Sequence, residues 1–200
     1  MKNILHIVSS INGQNSYSLA LSRRILENLQ KKYQESKIVE RNIVAENFPH
    51  ITEETWSAII TPQANRTEEQ NNLVKLQDEV IKELFDADIL VVGAPLYNFG
   101  IPSQLKAYID HLAKNGETFH YTEEGPEGLV KDKKVYIAMS SGGVYSENPL
   151  YDYVSGYLTK VFGFIGMTDV EIVRIEGLAI PELQDEAMDK AQKQLEEVLG

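Results

Sequence analysis

The stretch that decides the fold runs from Asp88 to Tyr108 and reads DILVVGAPLYNFGIPSQLKAY. Its Ile89–Val92 segment is an unbroken apolar run, which is typical of a parallel strand covered by helices on both faces. Gly93-Ala94-Pro95 ends the strand, and Pro102 suits the first turn of a helix. Ligands bind beyond the carboxyl ends of strands in open α/β sheets, so we expect loop 96–101 to line a ligand site.

This loop has the composition of a site for a flat heterocycle. Tyr97 and Phe99 offer aromatic faces for stacking. Asn98 offers hydrogen bonds in the plane of a ring, and Gly100 allows close approach of the backbone. The stretch therefore predicts a planar ligand at the end of this strand.

Composition and charge narrow the class of protein. The 200 residues suit one α/β domain, and we expect a single domain over residues 1–200. A net charge of −11 argues against nucleic acid and anionic membrane surfaces as partners. Because the chain has no cysteine, redox chemistry would need a bound organic cofactor. No apolar stretch approaches the roughly 20 residues that cross a bilayer, so the sequence predicts a soluble, cytoplasmic protein.

Apolar strands alternate with amphipathic helices along the whole chain. The predicted strands are 4–8, 37–43, 89–92, 134–139 and 170–175. Five strands alternating with five helices predict a doubly wound parallel sheet with right-handed crossovers. Residues 44–66 interrupt this pattern with a connection far longer than the usual ~2–6 residues, and inserts of this kind usually serve binding or assembly.

A loop rich in hydroxyl groups, Ser9–Ser18, follows the first strand and leads into a helix. It contains neither a G-x-G-x-x-G turn nor a Walker lysine, so a dinucleotide turn and a P-loop are not supported. Hydroxyls at a helix start favour a phosphate, because free N–H groups and the positive end of the helix dipole lie there. The alternative is that Ser16 or Ser18 is an ordinary N-cap.

Two adjacent glycines follow the fourth strand, in the segment Ser140–Gly143. They let backbone N–H groups point into a concavity that fits an electron-rich ring edge. A plain Gly-Gly turn is the alternative. The four histidines show no metal-binding spacing and the chain has no G-x-S-x-G motif, so we expect neither a metal site nor an α/β-hydrolase.

These segments together resemble the FMN-dependent, NADH-linked azoreductase and quinone reductase family. Leu96-Tyr97-Asn98-Phe99 resembles its Met-Tyr-Asn-Phe signature. Phe119–Val130 matches a second signature, and Phe162–Asp169 matches its Gly-Phe-Ile-Gly-x-Thr-Asp. Ser140–Gly143 resembles its Ser-Arg-Gly-Gly, with serine at the second position where some members have arginine.

The resemblance implies a flavodoxin-like strand order, 2-1-3-4-5, with FMN bound at the switch point between strands one and three. The cofactor-binding residues that it implies are Ser10, Ser16, Tyr17, Ser18, Leu96, Tyr97, Asn98, Phe99, Ser140, Ser141, Gly142 and Gly143. It implies Tyr121 and Phe162 as substrate-lining residues. Alternatively, Tyr121 is an aromatic residue that covers a hairpin edge, and Phe162 is a core residue. Ser141, in place of arginine, leaves the choice of nicotinamide and of acceptor open.

The implied reaction is ping-pong transfer of two electrons from NADH to quinones or aromatic azo compounds. No catalytic side chain is required, because the cofactor carries the chemistry. The resemblance also implies a homodimer, and the helical face Leu105, Ile109 and Leu112 is predicted to adjoin its interface. The alternative function is a flavodoxin-type electron carrier that docks redox proteins, which the acidic charge would suit.

Overall fold

A computed structural model describes residues 1–147 and 151–199 of the chain. Its strands are β1 (Lys2–Val8), β2 (Ser36–Asn42), β3 (Ile89–Pro95), β4 (Phe119–Thr122), β5 (Gly125–Gly128), β6 (Lys134–Ser140) and β7 (Asp169–Ile175). Five of them form a parallel sheet in the order β2-β1-β3-β6-β7. This is the predicted 2-1-3-4-5 order, so the doubly wound, flavodoxin-like α/β fold is confirmed.

Helices cover both faces of this sheet. They are α1 (Tyr17–Lys32), α2 (Glu53–Ile60), α3 (Glu68–Asp86), α4 (Ser103–Leu112), α5 (Tyr153–Phe164) and α6 (Pro181–Leu199). The apolar sides of α1 and α6 build the core on one face, and those of α3, α4 and α5 build the core on the other. None of the described helices combines the length and the apolarity needed to cross a bilayer.

Burial on both faces explains why the sequence of the central strand β3 is apolar without interruption. All seven of its residues are buried. Ile89 and Val91 pack toward α1 and α6, whereas Leu90 and Val92 pack toward the other three helices. Each side chain therefore meets a helix, whichever way it points. The helix before β3, α3, begins with a capping box, in which Thr67 and Gln70 bond to each other's backbone N–H groups.

One feature extends the sequence predictions, and another differs from them. Residues 125–128, which lie in the second family signature, form β5 and pair antiparallel with β4. The face of α4 made by Leu105, Ile109 and Leu112 was expected beside a partner, and it is buried in the core of its own chain. That apolar spacing reflects packing on the sheet, so this part of the interface prediction is wrong. The single domain over residues 1–200 stays a prediction.

Candidate functional site

Three loops leave the carboxyl ends of neighbouring strands. We call residues 9–18 after β1 the phosphate loop, residues 96–101 after β3 the ring loop, and residues 140–146 after β6 the glycine loop. The phosphate loop leads to a helix on one face of the sheet, and the ring loop leads to a helix on the other. The chain therefore changes face between β1 and β3, and such a switch point opens a crevice for a ligand.

Side-chain hydrogen bonds join the first two loops. The hydroxyl groups of Ser10 and Tyr97 lie 3.0 Å apart. The Ser9 hydroxyl donates to the carbonyl of Gly93, at the end of β3, over 2.5 Å. Both serines are buried. The predicted phosphate and ring positions are thus joined by hydrogen bonds within the protein itself.

The phosphate loop presents free backbone donors at the start of α1. Ser16 is the N-cap, since its hydroxyl accepts the Leu19 amide over 3.1 Å, and it also lies 3.0 Å from the Ser18 hydroxyl. Both serines are buried, whereas Tyr17 is partly exposed. The amides of Tyr17 and Ser18 have no acceptor in the described part of the chain. Ser16 can therefore cap the helix while an anion binds beside it, because the cap hydrogen-bonds to only one of the backbone N–H groups that lack a partner at the helix start.

The ring loop contains a strained turn. Tyr97 and Gly100 exchange two backbone hydrogen bonds of 2.9 and 3.0 Å. Between them, Asn98 and Phe99 have φ values of 50° and 64°. This left-handed conformation costs a bulky residue on the order of 1–3 kcal/mol and is found preferentially at ligand sites. Gly100 is not in that region, and a Cβ atom there would be in ordinary contact with the Tyr97 carbonyl oxygen at 3.8 Å, so the fold of the chain does not itself require glycine. Close approach of Gly100 to a ligand stays a prediction.

The glycine loop is closed by its own serine. Ser141 is buried, and its hydroxyl donates to the Gly143 carbonyl over 2.8 Å. Among residues 1–147 and 151–199, no acceptor binds the amides of Gly142 and Gly143. Ser140 contributes its carbonyl, which accepts the amide of Leu96 over 2.8 Å and so ties the glycine loop to the ring loop.

Sequence reasoning missed two residues that complete this edge. The Tyr145 and Phe99 rings form a T-shaped pair, with a centroid distance of 6.3 Å and an interplanar angle of 87°. Glu176, just after β7, accepts the amides of Tyr145 and Ser146 over 2.9 and 3.0 Å. Its position in the sequence could have indicated Glu176, because this residue directly follows a strand and so lies at the same edge of the sheet as the three loops.

The two predicted substrate-lining residues differ in their exposure to solvent. Tyr121 is 70% exposed on the β4–β5 hairpin and packs edge-on against Phe119 at 5.6 Å. Phe162 is 1% exposed in the core of the single chain, and its placement in a substrate pocket stays a prediction. Phe164 instead reaches the hairpin, 4.5 Å from the Phe119 ring. Residues two apart on a helix point in opposite directions, which separates these two phenylalanines.

Comparisons with known proteins agree with this architecture. A family model described as a flavodoxin-like fold matches residues 2–199. The chain belongs to this family. The FMN-dependent NADH:quinone oxidoreductase of Herminiimonas arsenicoxydans is 44% identical over 202 residues, which cover 100% of this chain and 99% of that relative.

Two solved structures of this flavodoxin-like family resemble the chain along its whole length. The azoreductase from Bacillus anthracis str. Sterne superposes with a TM-score of 0.87 at 31% identity and covers 100% of this chain and 97% of its own. The FMN-dependent NADH-azoreductase from Bacillus anthracis str. Ames Ancestor, solved in complex with FMN, has a TM-score of 0.86 at 29% identity, with 100% of both chains covered. The family recognised from the sequence is therefore confirmed.

The free groups at the strand ends fit an FMN molecule. The Tyr17 and Ser18 amides suit a terminal phosphate. The Gly142 and Gly143 amides suit the electron-rich edge of a flat ring. The exposed ring of Phe99 offers a stacking surface beside them. The site also lacks the glycine-rich turn that a pyrophosphate would need, which favours FMN over FAD.

Proposed function

We propose that this protein is an FMN-dependent NADH oxidoreductase with a ping-pong cycle that delivers two electrons from one NADH. One cycle reduces a quinone to a hydroquinone, and two successive cycles supply the four electrons that cleave an aromatic azo compound to two amines. When bound, FMN accepts a hydride from NADH and passes it to the acceptor. The observation that carries this proposal is the convergence of three loops, with free amides on two of them, at the switch point of the sheet. The enzyme class, FMN and NADH agree with the names of the relatives.

The protein supplies placement and electrostatics. The phosphate loop would bind the phosphate through the Tyr17 and Ser18 amides, without a lysine or arginine in residues 9–18. The Gly142 and Gly143 amides would stabilise negative charge on the pyrimidine edge of the ring, because preorganised donors need no reorientation during transfer. No side chain has to act as a base for hydride transfer. The product could take its proton from water or from Tyr121.

We further propose that the active unit is a homodimer in which each ring is covered by both chains. Phe99 is 55% exposed and Tyr121 is 70% exposed, so a single chain leaves these aromatics open to water. Exposed apolar groups beside a ligand site usually mark a contact surface. A second copy would cover them and exclude water from the hydride-transfer site. The cytoplasm stays the predicted compartment.

Release of the cofactor by heat, followed by chromatography, tests the cofactor half of this proposal. Recovery of FMN at one molecule per chain supports it, whereas recovery of FAD contradicts it. Steady-state rates with NADH across a panel of quinones and azo dyes test the reaction half. Parallel lines in double-reciprocal plots are expected for a ping-pong cycle. Intersecting lines would require NADH and acceptor to be bound together and would overturn the proposed cycle.

A further inference from the structure

The segment after β7 holds the glycine loop through its backbone. The Ser141 amide donates to the Ile175 carbonyl over 2.9 Å. In return, the amides of Gly177 and Ala179 donate to the carbonyls of Gly143 and Gly142 over 3.1 and 2.9 Å. These bonds occupy carbonyl groups of the loop, whereas its two glycine amides have no backbone acceptor among the described residues.

Glu176 continues this attachment with its side chain. One carboxylate oxygen accepts two successive amides, from Tyr145 at 2.9 Å and from Ser146 at 3.0 Å. A hydrogen bond from an N–H group to an ionised carboxylate is roughly twice as strong as one between neutral groups. The carboxylate therefore fixes the direction of the backbone at Tyr145, and with it the position of the Tyr145 ring.

The Tyr145 ring lies between two of the three loops. A Cβ atom built on Gly143 would lie 3.2 Å from this ring, so the ring is in close contact with the glycine loop. The same ring makes a T-shaped contact with Phe99 on the ring loop, at 6.3 Å between centroids. The ring thus forms one wall of the space between the glycine loop and the ring loop.

We propose that Glu176 is a positioning residue that holds Tyr145 as a fixed wall for planar electron acceptors. This inference rests on the proposed function, because it assigns the wall to that same site. A fixed ring gives a large flat acceptor a surface that is already in place, and preorganisation of this kind improves binding. A small acceptor makes little contact with the wall. Glu176 therefore acts on the KM of large planar acceptors and has little effect on hydride transfer itself.

The decisive variants are Glu176→Ala and Glu176→Gln. Glutamine keeps an oxygen that accepts both amides, whereas alanine removes the acceptor. Glu176 borders a cavity of about 360 Å³ that is also lined by Ser146 and Arg174, so water can enter and solvate the released amides. We therefore expect the alanine variant to fold. Glu182→Ala, at the exposed start of α6, is the control for loss of a nearby carboxylate.

Three readouts distinguish anchoring from general damage. In FMN-free protein, exchange of the Tyr145 and Ser146 amides should accelerate about tenfold in Glu176→Ala, since local opening becomes easier. In the holoenzyme, the KM for a large diaryl azo dye should rise about tenfold, which is a loss of about 1.4 kcal/mol in binding. The KM for benzoquinone and both kcat values should stay within about twofold. Glu176→Gln should restore the azo-dye KM, and Tyr145→Ala should reproduce its rise.

The failures of the two proposals are distinguishable. Wild-type protein that binds no FMN overturns the proposed function. Wild-type protein that is active, with Glu176→Ala showing an unchanged KM for the azo dye, overturns the role of Glu176 alone. Equal rises for the dye and for benzoquinone also overturn it, because a wall for large acceptors must discriminate between them.

Discussion

Gly128 at the end of β5 and Gly166 after α5 lie in direct backbone contact. A Cβ atom on Gly128 would lie 2.1 Å from the Gly166 amide nitrogen, and Gly166 itself has a φ of 111°. The Val130 amide donates to the Ile165 carbonyl over 2.9 Å beside this crossing. Two separate sequence signatures therefore meet at one point, where they fix the hairpin that carries Tyr121.

This contact predicts that alanine substitutions at two glycines change the free energy of unfolding in opposite directions. Gly128→Ala should lower the free energy of unfolding by about 1–3 kcal/mol, because overpacking forces the backbone apart. Gly156→Ala is the control within α5, where an added Cβ meets no atom within 4 Å. It should raise stability by about 0.5–1 kcal/mol, as alanine favours helix over glycine. Urea unfolding measures both, and equal effects would show that the crossing tolerates a side chain.

The 3.0 Å contact between Ser10 and Tyr97 predicts coupling between the phosphate and ring positions. Ser10→Ala and Tyr97→Phe should each weaken FMN binding, because each removes one partner of the hydrogen bond. The loss of FMN binding free energy in the double variant should be smaller than the sum of the two single losses by about 0.5–1.5 kcal/mol, which is roughly two- to tenfold in Kd. Fluorescence titration with FMN gives the four Kd values. Strict additivity would mean that the two loops bind independently.

Two buried histidines predict that stability falls in mild acid. Burial lowers the pKa of His6, against the opposing effect of Glu40, and burial also lowers the pKa of His111. The unfolded chain therefore binds more protons once the pH falls below about 6.5, and folding loses free energy from there downward. Urea unfolding at several pH values between 8 and 5 should show this loss. His111→Leu should reduce the dependence of the free energy of unfolding on pH, whereas His50→Gln, at an exposed position, should keep it. An unchanged pH dependence in His111→Leu would contradict the role given to His111.

The exposed aromatics predict self-association. Sedimentation equilibrium at micromolar concentration should give about twice the chain mass of 22.6 kDa. Tyr121→Ser should weaken the dimer, because it removes an apolar ring that is 70% exposed in the single chain. Val39→Ser, at the outer edge of the sheet, is the control for loss of an exposed apolar group. A fully active species at the mass of one chain would show that each site is built by one subunit.

The sequence predicted those features that depend on local patterns. The apolar run of β3 and the hydroxyls of the phosphate loop each have a short-range cause, and the doubly wound parallel sheet follows from the alternation of strands and helices. The strand order was implied by the resemblance to the family. Contacts between distant segments leave no such pattern. Glu176 has an ordinary sequence context, and only the fold brings it to Tyr145. Phe162 and Phe164 are equally aromatic, and only the rotation of α5 decides which one is buried.

The most direct test of the proposed function is to mix the FMN-loaded protein with NADH in the absence of oxygen. We predict rapid and direct loss of the yellow flavin absorbance, followed by its return when a quinone or an azo dye is added. An unchanged absorbance after NADH, with reduction only when a redox partner protein is supplied, would contradict the enzyme assignment and identify the protein as an electron carrier.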